Sequence, residues 1–232
     1  MHLSRDHRNV TVLALCQALF ITGQSIMFIL AGLVGADLTE EKALATLPIS
    51  VIIIATTLTT IPASLLMKRI GRKPGFMIGA TFGVIGALIA SYGIQQSNFW
   101  IFVLGTGTIG TYGGFAQYYR FAAADVAESN FKGKAISLVI SGGIVAAFTG
   151  PLLTNYTFDI NVIPFLGSFV TVAILAATAI LMLTLIDIPR PDIAERSSSG
   201  RPLTEIVRNP ELLAAIFVGM IGYSVMSLLM TA

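Results

Sequence analysis

Charge is scarce in this chain. Only 11% of its 232 residues are Asp, Glu, Lys or Arg, less than half the share of about 25% typical of soluble domains. A water-facing surface cannot be built from so few charges, and the 55% hydrophobic content points to a membrane protein. There is a single cysteine, Cys16, inside an apolar stretch. No disulfide can therefore close within the chain, and its redox compartment cannot be read. The two histidines, His2 and His7, both lie near the N-terminus, and no Asp or Glu stands in the middle of any apolar stretch. Neither a metal site nor a protease dyad can be assembled from that stock, which excludes an intramembrane enzyme. No cofactor is expected either.

What is present is a series of long uncharged runs. Crossing about 30 Å of hydrocarbon takes roughly 20 predominantly apolar residues. Seven stretches pass: 10–34, 43–67, 75–93, 99–121 (with Arg120 in its last turn), 135–155, 162–186 and 212–232. Lipid cannot satisfy free backbone groups, so each run is expected to be helical. Arg5 and Arg8 ahead of the first run resemble the basic start of a signal peptide. That run is far longer than a signal core and lacks an evident cleavage site, so it reads as a retained helix.

Between the second and third runs lies Lys68-Arg69-Ile70-Gly71-Arg72-Lys73-Pro74. Four cations in six residues are too costly to draw across hydrocarbon, which places this loop in the cytoplasm. The long flanking runs speak against a nucleic-acid contact. With the N-terminus inside, the cytoplasmic segments hold Arg5, Arg8, Lys68, Arg69, Arg72, Lys73, Arg120, Lys132, Lys134, Arg190, Arg196, Arg201 and Arg208, and the opposite side only Lys42. The expected organisation is thus a six-helix bundle over 1–187, a cytoplasmic linker over 188–210 with an interfacial helix at 203–208, and a seventh span over 211–232. The abrupt end without a polar tail suggests a fragment of a longer protein.

The loop is similar to the G-x-L-x-D-R-x-G-R-K motif of the major facilitator superfamily. Leu66, Arg69, Gly71, Arg72 and Lys73 match, whereas Ser64 stands where the family has glycine and Lys68 where it has aspartate. The stretch from Asp125 through Glu128 to Lys132 and Lys134 resembles the family's acidic-then-basic loop before the fifth helix. Gly150 and Pro151 match the family's antiporter motif, while Ala146 and Thr154-Asn155 stand where it has glycines. The resemblance implies an all-α fold of twelve helices in two six-helix halves, of which this chain holds the first half and the start of the second. It also implies a secondary transporter moving a small organic solute by alternating access, of efflux-antiporter type, in a bacterial cytoplasmic (inner) membrane. A proton or cation is the candidate coupling partner, with its ionisable group in the other half. Helices 1, 4, 7 and 10 of such a transporter line the path, and helices 2 and 5 meet the second half. Its cytoplasmic gate would pair Arg120 or the cations Lys68, Arg69, Arg72 and Lys73 with Asp125 or Glu128. Lys68 in place of the aspartate removes the usual acid from that latch.

Residue chemistry gives candidates for the path. Gln17 and Gln24, two helical turns apart, share a face of the first run, and Gln117 lies in the fourth. An amide in hydrocarbon needs partners, so these face either a wet cavity or another helix through interhelical hydrogen bonds. Thr108, Thr111 and Tyr223 complete the expected lining. The third and sixth runs offer only hydroxyls such as Thr81, Ser91, Ser168 and Thr171, which suits lipid-facing positions. Pro62 and Pro151 each remove a backbone hydrogen bond and are expected to kink their helices. Gly105-x-Gly107-x-x-Gly110 matches a dinucleotide fingerprint, but that motif has meaning only between a strand and a helix; within a span its glycines admit another helix. Tyr118, Tyr119 and Arg120 read either as an interfacial belt or as part of the gate. The competing function is a seven-helix receptor or retinal-type protein, against which stand the absence of lysine in the seventh run and the internal N-terminus.

Overall fold

A computed structural model describes residues 5–128, 130–158, 163–188 and 209–231. Among them the chain forms helices and no strand: α1 (Arg5–Leu38), a short 3-10 turn (Lys42–Leu44), α2 (Leu47–Ile70), α3 (Arg72–Gln95), α4 (Phe99–Ala116), α5 (Tyr119–Val126), α6 (Lys132–Thr157), α7 (Leu166–Thr184) and α8 (Pro210–Thr231). The chain divides into two compact units, residues 1–191 and 192–232. The second holds α8; the linker expected over 188–210, with its interfacial helix, lies outside the described residues save 188, 209 and 210. Five helical stretches are long and apolar enough to span a bilayer: α1, 42–70, α3, α6 and α7.

The boundaries follow from local chemistry. Gly71 ends α2 and starts α3 at φ 98°, a conformation that costs a glycine nothing and other residues much. Its N–H donates to the carbonyl of Met67, and its own carbonyl accepts from Gly75. This one residue turns the basic loop. Asn98 caps α4, its side-chain oxygen accepting from the N–H of Ile101 at 3.1 Å.

The fourth run, expected as one helix to 121, is interrupted at Gln117 and Tyr118. There the bonding tightens, with the Tyr118 N–H donating to Phe115 rather than one residue further back. Adjacent tyrosines are drawn to different partners. The Tyr118 hydroxyl donates to the Thr60 carbonyl of α2 at 3.0 Å, while Tyr119 is wholly buried with its ring against Phe76.

Within the first unit α3 packs between α4 and α7, α1 between α7 and α6, and α2 against α4, with α5 touching α1 and α6. Lipid tails supply no hydrophobic drive between helices, so close backbone approach at small residues matters most. A methyl group added at Gly86 would meet the backbone of Ile109 at 2.6 Å, and one at Gly110 the Ile52 carbonyl at 2.5 Å. Gly113 and Gly114 face Thr56 and Thr59 in the same way, and Gly142 faces the backbone of Ala14 and Ala18. The glycines of the fingerprint-like stretch are therefore helix contacts. One expectation is corrected: Ser91 and Ser168 do not face lipid but are buried. Ser91 bonds to the Ala87 carbonyl and Ser168 to the Thr157 hydroxyl, both at 2.8 Å.

Candidate functional site

Two buried clusters fill the bundle. One gathers Tyr119, Phe76, Leu183 and Ile186; the other Phe102, Phe169, Ile94 and Val34. Where they join, a narrow cleft opens between α1, α2, α4 and α7, with a cavity volume of about 20 Å³. Gln24, Thr56, Gly110 and Val172 on its wall each lie within two residues of the middle of their apolar run. The cleft thus sits at mid-span. Its wall is apolar for the most part: Phe20, Met27, Ile52, Ile109, Tyr112, Val172 and Leu175. Phe20 and Tyr112 meet edge to face, centroids 5.0 Å apart.

Of the residues expected to line a path, the structure brings Gln24 to the cleft. Gln17 is partly exposed on the same helix, in a stripe with Ile21, Gln24 and Phe28, all partly exposed. Thr108 and Thr111 turn their hydroxyls onto their own helix, donating to the carbonyls of Leu104 and Gly107. Gln117 is exposed at the break after α4. Tyr223 falls within α8, but its side chain lies outside the described residues. No hydrogen bond to the amides of Gln17, Gln24 or Gln117 occurs among the described residues.

Thr56 and Tyr112 are cleft residues that the sequence did not mark. The Thr56 hydroxyl donates to the Gly110 carbonyl at 2.9 Å, joining α2 to α4. The Tyr112 hydroxyl lies 3.3 Å from that of Tyr119.

The basic end is tied together by several contacts. Arg72 donates to the Asp125 carboxylate at 2.6 Å, a short charge-assisted bond between the start of α3 and α5. Lys73 donates to the carbonyl of Thr184, the last residue of α7, at 2.6 Å. A cation at a helix C-terminus satisfies a free carbonyl and complements the helix dipole. Arg69 is exposed. Arg120 lies over the Phe121 ring at 5.0 Å, a cation–π contact, so it is Arg72 that takes Asp125. The exposed Glu128 contributes its backbone carbonyl, which accepts from Phe131 and Lys132. Gly150 of α6 faces Ser25 of α1, and Pro151 beside it is exposed.

One tie had no sequence signal. The buried Asn9 side chain donates to the Asp187 carbonyl at 2.9 Å and accepts from the Asp187 N–H at 3.0 Å. Arg5 adds an ion pair to the Asp187 carboxylate at 2.7 Å.

A glycine-packed helical bundle with a mid-span cleft and a cation-rich end is what the resemblance implies, and comparison with known proteins decides it. Residues 13–232 match the profile of the Major Facilitator Superfamily. The chain belongs to the major facilitator superfamily. It is also 40% identical over 230 residues to a riboflavin transporter, RfnT, of Brucella anthropi. The alignment covers 97% of this chain and 57% of that relative, so the chain spans little more than half of the relative's length. Membership of the superfamily makes this an integral membrane protein. It also sets aside the receptor reading. The superfamily fold accounts for the expected all-α, polytopic architecture.

Proposed function

We propose that this chain forms the N-terminal half of a secondary transporter that moves riboflavin, or a solute closely like it, by alternating access. The observation that carries this is the 40% identity to a riboflavin transporter across nearly the whole chain. The cleft supports it physically. Transporters of this architecture bind solute near the bilayer midplane between two repeats, and a cleft at mid-span with one open side suits half of such a site. The excess of cations at one end favours a cytoplasmic N-terminus and a bacterial inner membrane. The Gly150-Pro151 pair in α6 favours exchange against a proton or cation. The ionisable group for coupling then belongs to the second half, since no acid stands at mid-span here.

The test is uptake of labelled riboflavin by the full-length protein in sealed vesicles, with and without an imposed proton gradient. Saturable uptake above protein-free vesicles is expected. Riboflavin flux equal to that of empty vesicles overturns the substrate, and flux indifferent to every imposed ion gradient overturns the coupling.

A further inference from the structure

The cleft holds one amide and no charge. Gln24 presents its side chain among Phe20, Tyr112, Met27 and Ile109, and no residue among those described hydrogen-bonds to it. The two hydroxyls on the wall are engaged elsewhere: Thr56 gives its proton to the Gly110 carbonyl, and Tyr112 lies 3.3 Å from the Tyr119 hydroxyl. The Gln24 side chain is partly exposed in the cleft, and a solute that displaces water from it without replacing the lost hydrogen bonds costs on the order of 1–3 kcal/mol, so the solute that fits is one that satisfies the amide. A side-chain amide offers an acceptor and a donor side by side. Its complement is a ring edge that carries N–H next to C=O, as in a lactam or cyclic imide. A charged solute finds no counter-charge on this wall. A polyol would leave most of its hydroxyls facing carbon.

We infer that Gln24 is the specificity-determining residue of this half of the site: it reads the imide edge of a planar, uncharged heteroaromatic ring, with Phe20 and Tyr112 as the apolar wall beside it. This rests on the transport reading above and sharpens it. Riboflavin carries such an edge, an N3–H between two carbonyls, on a flat ring system. Two parallel hydrogen bonds to one amide fix the ring's orientation as well as its affinity. The edge-to-face pair of Phe20 and Tyr112 supplies the kind of surface that aromatic rings pack against.

The experiment compares riboflavin with N3-methylriboflavin, which keeps the ring and loses the N3 donor, in vesicles containing the full-length protein. The unsubstituted protein is expected to bind riboflavin at least about tenfold more tightly than the methylated analogue, a ratio equivalent to about 1.4 kcal/mol. Gln24→Met removes the amide at nearly constant shape and is expected to bring the two affinities within about twofold of each other, through loss of the riboflavin advantage. A preference that survives Gln24→Met overturns the inference, as does an unsubstituted protein that takes both flavins equally. Absence of riboflavin transport by the unsubstituted protein instead overturns the transport reading itself. Should Gln24→Met fail to reach the membrane, Gly23→Ala replaces it. The added methyl would meet only Val172 and Leu175, at 3.6 and 4.0 Å, and so narrows the cleft without disturbing the packing. It is expected to weaken both flavins several-fold while keeping their ratio; unchanged affinity for both shows that the cleft is not where they bind.

Discussion

At the scale of single residues, the Arg72–Asp125 pair joins α3 to α5 while contributing little to stability. Its side chains are 28% and 54% exposed, and an ion pair so wet is worth about 0–1 kcal/mol. We propose that its place between α3 and α5 serves a cytoplasmic gate, which must break at low cost. Arg72→Asp is expected to leave the thermal midpoint nearly unchanged and to slow uptake several-fold, and adding Asp125→Arg is expected to restore part of the rate. A doubly reversed protein as slow as the single variant removes the pair from the gate. The sequence brought the candidate charges to the same end, Arg120 or the loop cations with Asp125 or Glu128, but did not show which of them would pair. Asn9 was not legible, since its partner lies 178 residues away and nothing local distinguishes it from any polar residue before a span. Ser91 and Ser168 were misread for a related reason. A hydroxyl that can bond to its own helix carries no information about which way that helix face turns.

At the scale of elements, glycine placement decides which helices meet. Gly110 sits against the α2 backbone at Ile52, whereas nothing lies within 4 Å of a methyl added at Gly143. Gly110→Ala therefore has to part α4 from α2 and is expected to cost about 1–3 kcal/mol. Gly143→Ala keeps the packing and gains up to about 1 kcal/mol of helix propensity. Melting temperatures in detergent should move in opposite directions, and a shared sign would show that α4 and α2 are not packed at this glycine. The sequence announced that the glycines of α4 serve helix contacts, but not which helix each would meet. The break between α4 and α5 was hidden for the same reason: it depends on where Tyr118 and Tyr119 find partners, and those partners belong to α2 and α3. Five of the seven expected runs, 10–34, 43–67, 75–93, 135–155 and 162–186, correspond to helical stretches long and apolar enough to span, because hydrocarbon thickness sets a minimum that sequence alone reveals.

At the scale of the molecule, the helices of the first unit are unequally covered. Half of the best apolar window is buried in α1 and in α3, but only 11% in 42–70 and 22% in α6. Exposed apolar side chains run along both, from Ile54 and Leu58 to Leu65 and from Ile144 through Phe148 to Leu152. These are the faces that the first unit leaves uncovered. Orientation can be tested with cysteine labelling, since Cys16 is buried and contributes little background from this chain. Glu40→Cys is expected to react with an impermeant maleimide in intact cells, and Lys134→Cys only after the membrane is opened. The reverse pattern would invert every span. The deepest part of the cleft was only half visible from sequence: Gln24 stood out as an amide in an apolar run, whereas Tyr112 and Thr56 look like ordinary span residues until three helices bring them to the same place.

The clasp of Asn9 on the Asp187 backbone has a consequence for modularity. It lays the strand of chain that arrives at the bundle beside the strand that departs from it, closing a circuit of 178 residues with one side chain. Neighbouring termini are what permit a domain to be cut elsewhere and rejoined. The bundle is in this sense a cassette: a short bridge from Ile188 back to Arg5 would reorder the chain without asking any helix to change its neighbours.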